Sequence, residues 1–221
     1  MSAKALFFWL TGAALVVALV LAGVVFGSTP LPLDAVGRAF GAIVGLGDGS
    51  GGDGPVARIV IELRLPRVFL AICVGAGLAA VGVLLQTTTR NDLADPFLFG
   101  LSSGAAAGAV SVITLFGDRF GVWTLPIAAF SGALLSAAVV LVLLFRERGR
   151  APERLIIAGL AVSFLFSALT TWLVFAGDQR AAYSVLFWTA GGLGLASWDN
   201  LFLGAIGALL AVGTGWSLRH R

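Results

Sequence analysis

Two arginines that lie three residues apart, Arg64 and Arg67, form a distinctive charge pattern in this chain of 221 residues. Pro66 lies between them, and a proline suits the first turn of a helix because its missing N–H would be unpaired there in any case. Guanidinium groups bind carboxylates through charge-assisted hydrogen bonds that can be bidentate. The pair is therefore interpreted either as a docking point for an acidic partner or, more simply, as an anchor that contacts lipid phosphates.

A polar turn between Gln86 and Phe97 is the second informative segment. Asn91 and the pair Asp95-Pro96 predict a tight turn followed by the start of a helix. The next stretch, Ser102-Ser103-Gly104-Ala105-Ala106-Ala107-Gly108, predicts a helix with a smooth face that a neighbouring helix can approach closely. Its glycines have the GxxxG spacing, but the chain contains 30 glycines, so we interpret the spacing as ordinary packing.

Several kinds of catalytic and cofactor chemistry lack the residues that they need. Lys4 is the only lysine, which excludes a Walker A phosphate loop, and His220 is the only histidine, which excludes histidine-based zinc sites, haem-binding pairs and hydrolase triads. Cys73 is the only cysteine, so there is no intrachain disulfide. The glycine-rich residues 45–54 are interpreted as a flexible external loop. We therefore predict neither an enzyme, nor a cofactor, nor a metal site.

The composition of the chain indicates where it resides. Hydrophobic residues make up 59% of it and charged residues 11%, and the mean hydropathy is +1.02. A soluble globular chain carries roughly a quarter charged residues, so this one could not cover a water-facing surface. The net charge is only +3, so a pI near 10.0 is no sign of nucleic-acid binding. The chain is predicted to be a membrane protein in contact with the lipid bilayer.

Six uncharged runs are long enough to cross about 30 Å of hydrocarbon as helices. They cover residues 5–27, 68–89, 98–117, 120–145, 155–177 and 201–218. Residues 28–67 are predicted to be an external loop. A seventh run, from Ala181 to Trp198, contains Gly191 and Gly192, and is predicted to form a short re-entrant or interfacial helix over about residues 181–190. The predicted fold is an all-α polytopic transmembrane helix bundle that forms a single domain.

The arginines between the runs predict the orientation. With the N-terminus inside, the inner segments hold eight Lys and Arg residues and the outer segments six. The short loop over residues 146–154 contains four arginines, and short loops weigh most in the positive-inside rule. Both termini are therefore predicted to be cytoplasmic.

Taken together, these motifs resemble a known family, the permease subunits of the ABC importers for iron–siderophore complexes, haem and vitamin B12. The similarity extends in order from about Ile59 to the last apolar run. The matching pieces are Arg64-Leu65-Pro66-Arg67, then Gln86 with Thr89-Arg90-Asn91, Leu93-Ala94-Asp95-Pro96, Gly100-Leu101-Ser102-Ser103-Gly104-Ala105, Glu153-Arg154-Leu155-Ile156-Ile157-Ala158-Gly159, and Trp188 with Gly191-Gly192.

The resemblance implies the N-terminal part of a ten-helix type II ABC importer permease in the bacterial cytoplasmic membrane. Such permeases dimerise around a central pathway, a separate ATPase subunit docks on the inside, and a substrate-binding protein docks on the outside. It also implies roles for individual residues. These are binding-protein docking for Arg64 and Arg67, a cytoplasmic turn for Arg90, Asn91, Asp95 and Pro96, pathway lining or helix packing for Gln86, Ser102, Ser103 and Gly104, and an outer gate for Tyr183, Trp188, Gly191 and Gly192.

Two functional hypotheses follow from this resemblance. The first is a permease subunit, or its N-terminal portion, that imports an iron chelate, haem or a cobalamin. In the family, cytoplasmic coupling helices and four more spans follow the sixth span, whereas this chain stops at Arg221. The second hypothesis is therefore a truncated or split half-permease without independent transport. An unrelated channel or secondary transporter is weaker, because no charge within the runs could form an ion site.

Overall fold

The computed structural model describes residues 2–27, 29–44, 54–92, 94–116, 121, 123–146 and 152–218. Within these ranges, all regular structure is helical. The elements are α1 (Ala3–Val25), α2 (Leu33–Val44), α3 (Pro55–Arg58), a π-helix (Ile59–Arg64), α4 (Leu65–Thr89), a 3₁₀ helix (Pro96–Phe99), α5 (Leu101–Leu115), α6 (Thr124–Arg146), α7 (Pro152–Ala176), α8 (Gln179–Thr189) and α9 (Trp198–Leu218). Residues 45–53 of the glycine-rich stretch and residues 147–151 of the arginine-rich loop lie outside the described residues.

Five helical segments in the described ranges are long and apolar enough to cross a membrane. They are Ala3–Val25, Pro55–Thr89, Thr124–Phe145, Arg154–Ala176 and Trp198–Leu218. The all-α polytopic class predicted from the sequence is confirmed.

The third predicted run, residues 98–117, forms a shorter helix than expected. Pro96 opens a 3₁₀ turn, and Gly100 then adopts a left-handed conformation with φ of 73°. This backbone break delays the start of α5 to Leu101, and the helix keeps 15 residues. At 1.5 Å per residue, such a helix is about 22 Å long, which is less than the thickness of a bilayer core.

The predicted external loop over residues 28–67 needs correction, because much of it is helical. In α2, Val36 and Ala39 are buried and Phe40 packs against them. The opposite face carries an exposed ion pair between Asp34 and Arg38 with an N–O distance of 2.9 Å. Apolar residues on one face and charged residues on the opposite face are typical of an amphipathic helix. In addition, α3, the π-helix and α4 follow one another directly, so the helix that contains the second predicted span begins at Pro55 and not at residue 68.

The chain divides into two compact units, and the single permease domain stays a prediction. The first consists of Met1–Leu78 together with Leu193–Arg221. In it, α1 and α2 meet the π-helix around a core that includes Val24, Val36 and Val60.

The second unit is Ala79–Gly192, and α5 lies at its centre. This helix packs against α6, α7 and α8. Two small cores surround it: Ala107 of α5 belongs to one of them and Val110 to the other.

Candidate functional site

The helix that carries the two predicted docking arginines changes from π to α register between them. The π-helix Ile59–Arg64 is a segment in which each N–H donates five residues back, and accordingly the N–H of Leu65 donates to the carbonyl of Val60. Pro66 comes next, and its ring would clash with the carbonyl four residues back in an α-helix. The wider π register relieves this clash, but Pro66 has no N–H to donate to Ile61. The carbonyl of Ile61 is therefore left without an N–H donor from its own helix.

Trp198, the first residue of α9, fills this gap. Its indole N–H donates to the carbonyl of Ile61 over 3.0 Å, and its ring lies 6.0 Å from the ring of Phe69, measured between centroids. In the sequence, Trp198 is only a tryptophan at the edge of an apolar run. The carbonyl that Pro66 leaves without a donor depends on the π register, which the structure shows and the sequence does not.

Arg64 is buried, with 7% of its surface exposed. Its guanidinium donates to the carbonyls of Val24 and Val25 at 2.6 and 2.7 Å, and also to that of Thr29. The last carbonyls of a helix have no partner within the helix and carry partial negative charge, so a cation is favourable there. Arg64 therefore caps the C-terminus of α1, and its donors face inward.

Gly27 leaves the space that this guanidinium occupies. A Cβ atom at this position would lie 3.0 Å from Cζ of Arg64, closer than ordinary van der Waals contact. Gly23, one helical turn earlier, also allows a close contact, since a Cβ there would lie 2.9 Å from the side chain of Val68.

Arg67 differs from Arg64 because its side chain is exposed. Its Nε donates to the carbonyl of Leu193 over 3.2 Å, and its Nη2 donates to that of Gly194 over 3.4 Å. The two arginines that the sequence places together therefore have separate environments, and only Arg67 presents its guanidinium at the surface.

The predicted turn after α4 is present, and its backbone is unusual at Arg90. This exposed residue has φ of 52°, in the left-handed region that few non-glycine residues adopt. The N–H of Asn91 donates back to the carbonyl of Gln86 over 3.1 Å. Asp95 then caps the 3₁₀ helix, because its Oδ1 accepts from the N–H of Phe97 over 2.7 Å. Pro96 follows the cap directly, as expected for a helix start. The cytoplasmic location of this turn stays a prediction.

The start of α5 depends on a cluster of hydrogen bonds at Gly100. The carbonyl of this residue accepts from the hydroxyls of Ser103 at 2.9 Å and of Ser136 at 2.7 Å. Ser136, on α6, is completely buried. Nothing in the sequence marks this serine, because it lies in an apolar helix and resembles any small packing residue.

Gly104 allows α5 and α6 to approach so closely that their backbones touch. A Cβ added at Gly104 would lie 2.5 Å from the carbonyl oxygen of Gly132, and one added at Gly132 would overlap the carbonyl of Gly104. Gly108 makes a similar approach to the carbonyl of Ala128. The smooth face predicted from Ser102 to Gly108 is thus a close helix–helix contact. Ser102 itself is exposed, while Ser103 and Gln86 are half-buried.

The short helix predicted over about residues 181–190 corresponds to α8. Asp178 caps it, with its Oδ1 accepting from the N–H of Ala181 over 2.7 Å. Tyr183 is 70% exposed, and Trp188 is half-buried. After α8, Gly191 and Gly192 have φ of 75° and 142°, values that favour glycine. Their role as an outer gate stays a prediction.

In the described ranges, no three His, Cys, Asp or Glu side chains come together as metal ligands.

Several apolar helices long enough to span a bilayer are the architecture of a multi-pass membrane protein. The chain belongs to the FecCD transport family, because the model of that family matches residues 6–221. The family predicted from the motifs is therefore confirmed. Relatives in this family are named as transport permeases and not as enzymes.

Two curated relatives and one solved structure illustrate the similarity. The achromobactin transport system permease protein CbrC of Dickeya dadantii is 40% identical over 142 residues, which cover 64% of this chain and 40% of that protein. The vitamin B12 import system permease protein BtuC of Salmonella paratyphi A is 34% identical over 145 residues, which cover 65% and 44% of the two chains. An inward-facing ABC transporter of metal-chelate type is similar in structure, with a TM-score of 0.76 and 29% identity over 97% of this chain and 62% of that one. The chain spans less than half the length of these two curated relatives.

Proposed function

We propose that the chain acts in the permease subunit of an ABC importer that moves an iron chelate, a haem or a cobalamin-type chelate across the bacterial cytoplasmic membrane. The observation that carries this proposal is the FecCD match over residues 6–221. It is supported by relatives named for achromobactin and for vitamin B12. Transport is powered by a separate ATPase subunit, because Lys4 is the only lysine and leaves no Walker A loop in this sequence.

The mechanism is alternating access between two permease copies. A loaded binding protein docks on the outside, nucleotide binding closes the ATPase subunits on the inside, and helices shift so that substrate passes between the copies. The α5–α6 contact around Gly104 and Gly132 suits a rigid element, because their backbones touch there. Tyr183 and Trp188 on α8, followed by two glycines with positive φ, are proposed to close the outer end.

We assign binding-protein docking to Arg67 rather than to Arg64. The guanidinium of Arg67 is exposed, whereas that of Arg64 is occupied by the carbonyls at the end of α1. Arg64 supports the docking surface indirectly, because it fixes α1 beside the helix that carries Arg67. In this orientation the start of α4 faces the outside, and the turn at Arg90 and both termini face the cytoplasm.

Copurification with an ATPase subunit and a binding protein tests the proposed function. We expect the 221-residue chain to form a stable complex in detergent, in which the loaded binding protein stimulates ATP hydrolysis. A binding protein for an unrelated solute is the control and should give no stimulation. If no complex forms under any condition, the chain is not an importer permease.

The same experiment tests the alternative function of a half-permease that works only with a partner chain. A second polypeptide that carries the remaining part of a family permease is coexpressed. Stimulated ATP hydrolysis that appears only after this addition would favour the half-permease, while stimulation without it would exclude this alternative.

A further inference from the structure

The segment from Leu193 to Ser197, which leads directly into α9, is fastened to the other part of the first unit at two places. The guanidinium of Arg67 donates to the carbonyls of Leu193 and Gly194. At the other end of the segment, the indole of Trp198 donates to the carbonyl of Ile61. One fastening is therefore made by an exposed cation and the other by a neutral indole.

The hydrogen bonds of Arg67 and of Trp198 differ in how easily an acceptor from another molecule could displace the carbonyls. The hydrogen bonds of Arg67 are long, at 3.2 and 3.4 Å, and their acceptors are neutral carbonyls. A carboxylate adds a second, opposite charge, and its hydrogen bonds with a guanidinium are short, at about 2.7–2.9 Å, and can be bidentate. A carboxylate that reaches this exposed side chain would therefore take the guanidinium from both carbonyls. The indole of Trp198 has no charge, so a carboxylate has no comparable advantage there.

The geometry points to Arg67 as a switch between two acceptors. In the free chain it holds Leu193 and Gly194, and when an acidic side chain of a docking protein binds it, the guanidinium leaves these carbonyls and the segment is released. The Trp198–Ile61 bond stays in place, so release is confined to the residues before α9. This inference rests on the docking role proposed above for Arg67, and adds that docking changes the structure of the permease at this point.

The backbone next to the segment is suited to such a change. Gly191 and Gly192 precede it directly along the chain, and both have positive φ, where glycine moves without steric cost. A segment with glycines at one end and a retained anchor at the other can shift without unfolding α9.

Spin labelling of Leu195 tests the switch directly. This residue is 73% exposed, so a nitroxide attached to Leu195→Cys can be accommodated, and Cys73→Ala removes the only native thiol. The labelled chain is studied in lipid nanodiscs, in its complex with the ATPase subunit, by continuous-wave electron paramagnetic resonance. The line shape gives the ratio of mobile to immobile label.

Without binding protein, we expect Arg67→Gln to raise this ratio about fivefold, the factor that corresponds to the loss of one ordinary hydrogen bond. Arg58→Gln is the matched control, because Arg58 is exposed on the same continuous helix, and it should leave the ratio unchanged. Addition of the binding protein should mobilise the label in the chain with Arg67, and should cause no further change in Arg67→Gln.

Three other outcomes are possible, and each contradicts a different part of the proposal. If Arg67→Gln has the spectrum of the parent, the carbonyl bonds do not hold the segment. If the binding protein is captured and stimulates ATP hydrolysis but leaves the label immobile, the proposed function stands and the switch is wrong. If the parent chain captures no binding protein and shows no stimulation even with the second polypeptide, the proposed function itself fails.

Discussion

The indole N–H of Trp198 donates a hydrogen bond to the carbonyl oxygen of Ile61 over 3.0 Å. In the π-helix the donor to this carbonyl would be the residue five positions later, which is Pro66 and has no N–H. A side chain from the start of α9 thus supplies the hydrogen bond that the helix cannot make itself. Because one residue creates the vacancy and the other fills it, substitutions at Pro66 and Trp198 should not have independent effects.

A double-mutant cycle measures this dependence. Trp198→Phe keeps an aromatic ring near Phe69 but removes the N–H, and it should lower the free energy of unfolding by about 1 kcal/mol. Pro66→Ala restores a backbone N–H, so Trp198→Phe should cost less in that background, with a coupling energy of about 1 kcal/mol. Thermal unfolding in detergent gives the four values.

Trp172→Phe is the control for this cycle, because Trp172 lies exposed on α7. It should show no coupling to Pro66→Ala. Additive effects of Pro66→Ala and Trp198→Phe would show that the indole does not replace the N–H that Pro66 lacks.

The buried guanidinium of Arg64 should matter for stability in the absence of any partner protein. Arg64→Ala leaves the carbonyls of Val24 and Val25 without their cation, which should cost roughly 1.5–3 kcal/mol, the range for hydrogen bonds to charged groups. Arg64→Lys keeps the charge but cannot donate to several carbonyls through a planar fork, so its cost should be intermediate. Thermal unfolding of the isolated chain measures both.

Arg58→Ala serves as the comparison, since an exposed side chain usually changes stability by less than about 0.5 kcal/mol. Equal melting temperatures for Arg58→Ala and Arg64→Ala would show that Arg64 does not cap α1.

The sequence was a good guide to the spans and a poor guide to the region before the second one. The length of an uncharged run is a local property, so the all-α class and the five long apolar helices could be predicted from hydropathy, whereas the short α5 could not. The charges of residues 28–67 favour a loop, and α2 does not follow from them. Val36, Ala39 and Phe40 nevertheless have the i, i+3, i+4 spacing of an amphipathic helix.

The different environments of Arg64 and Arg67 could not have been predicted in this way. Their sequence context is shared, and the groups that they bind are backbone carbonyls, which leave no trace in residue types. These carbonyls lie 40 residues before Arg64, at Val24, and 126 residues after Arg67, at Leu193. Only the tertiary structure decides which arginine is buried.

The contact between α5 and α6 should tolerate no side chain at Gly104. A Cβ there would lie 2.5 Å from both the carbonyl oxygen of Gly132 and Cβ of Ser136, so the helices must separate. Gly104→Ala should therefore cost about 1–3 kcal/mol, as overpacking does in tight interiors. The measurement is thermal unfolding, together with ATP hydrolysis stimulated by the binding protein.

Gly82→Ala is the matched control, because a Cβ at Gly82 would meet no heavy atom within 4 Å. It should be neutral or stabilise its helix by about 0.5–1 kcal/mol. If Gly104→Ala and Gly82→Ala melt at the same temperature, the contact between α5 and α6 does not depend on the absence of a side chain at Gly104.

The turn after α4 should loosen when Asp95 loses its acceptor oxygen. Asp95→Ala removes the cap on the N–H of Phe97 and should cost about 1 kcal/mol, whereas Asp95→Asn keeps an oxygen acceptor and should cost less. The loosened turn should be cut faster by trypsin after the exposed Arg90, which releases an N-terminal fragment of recognisable size. In inverted vesicles this cleavage should occur, and in right-side-out vesicles it should not. Cleavage only in right-side-out vesicles would reverse the proposed orientation.

Docking of the binding protein should depend on Arg67 and on salt. Arg67→Gln removes a charge-assisted contact, so Kd should rise about tenfold to a hundredfold at low ionic strength. At about 1 M salt the Debye length falls to about 3 Å, so the difference in Kd between the parent chain and Arg67→Gln should shrink.

Arg58→Gln, which removes an exposed charge elsewhere on the same helix, separates loss of this contact from loss of net charge. Arg67→Lys then distinguishes a bidentate guanidinium contact, which lysine cannot replace, from simple attraction between charges, which lysine retains. A Kd that is unchanged in Arg67→Gln at low salt would remove Arg67 from the docking surface.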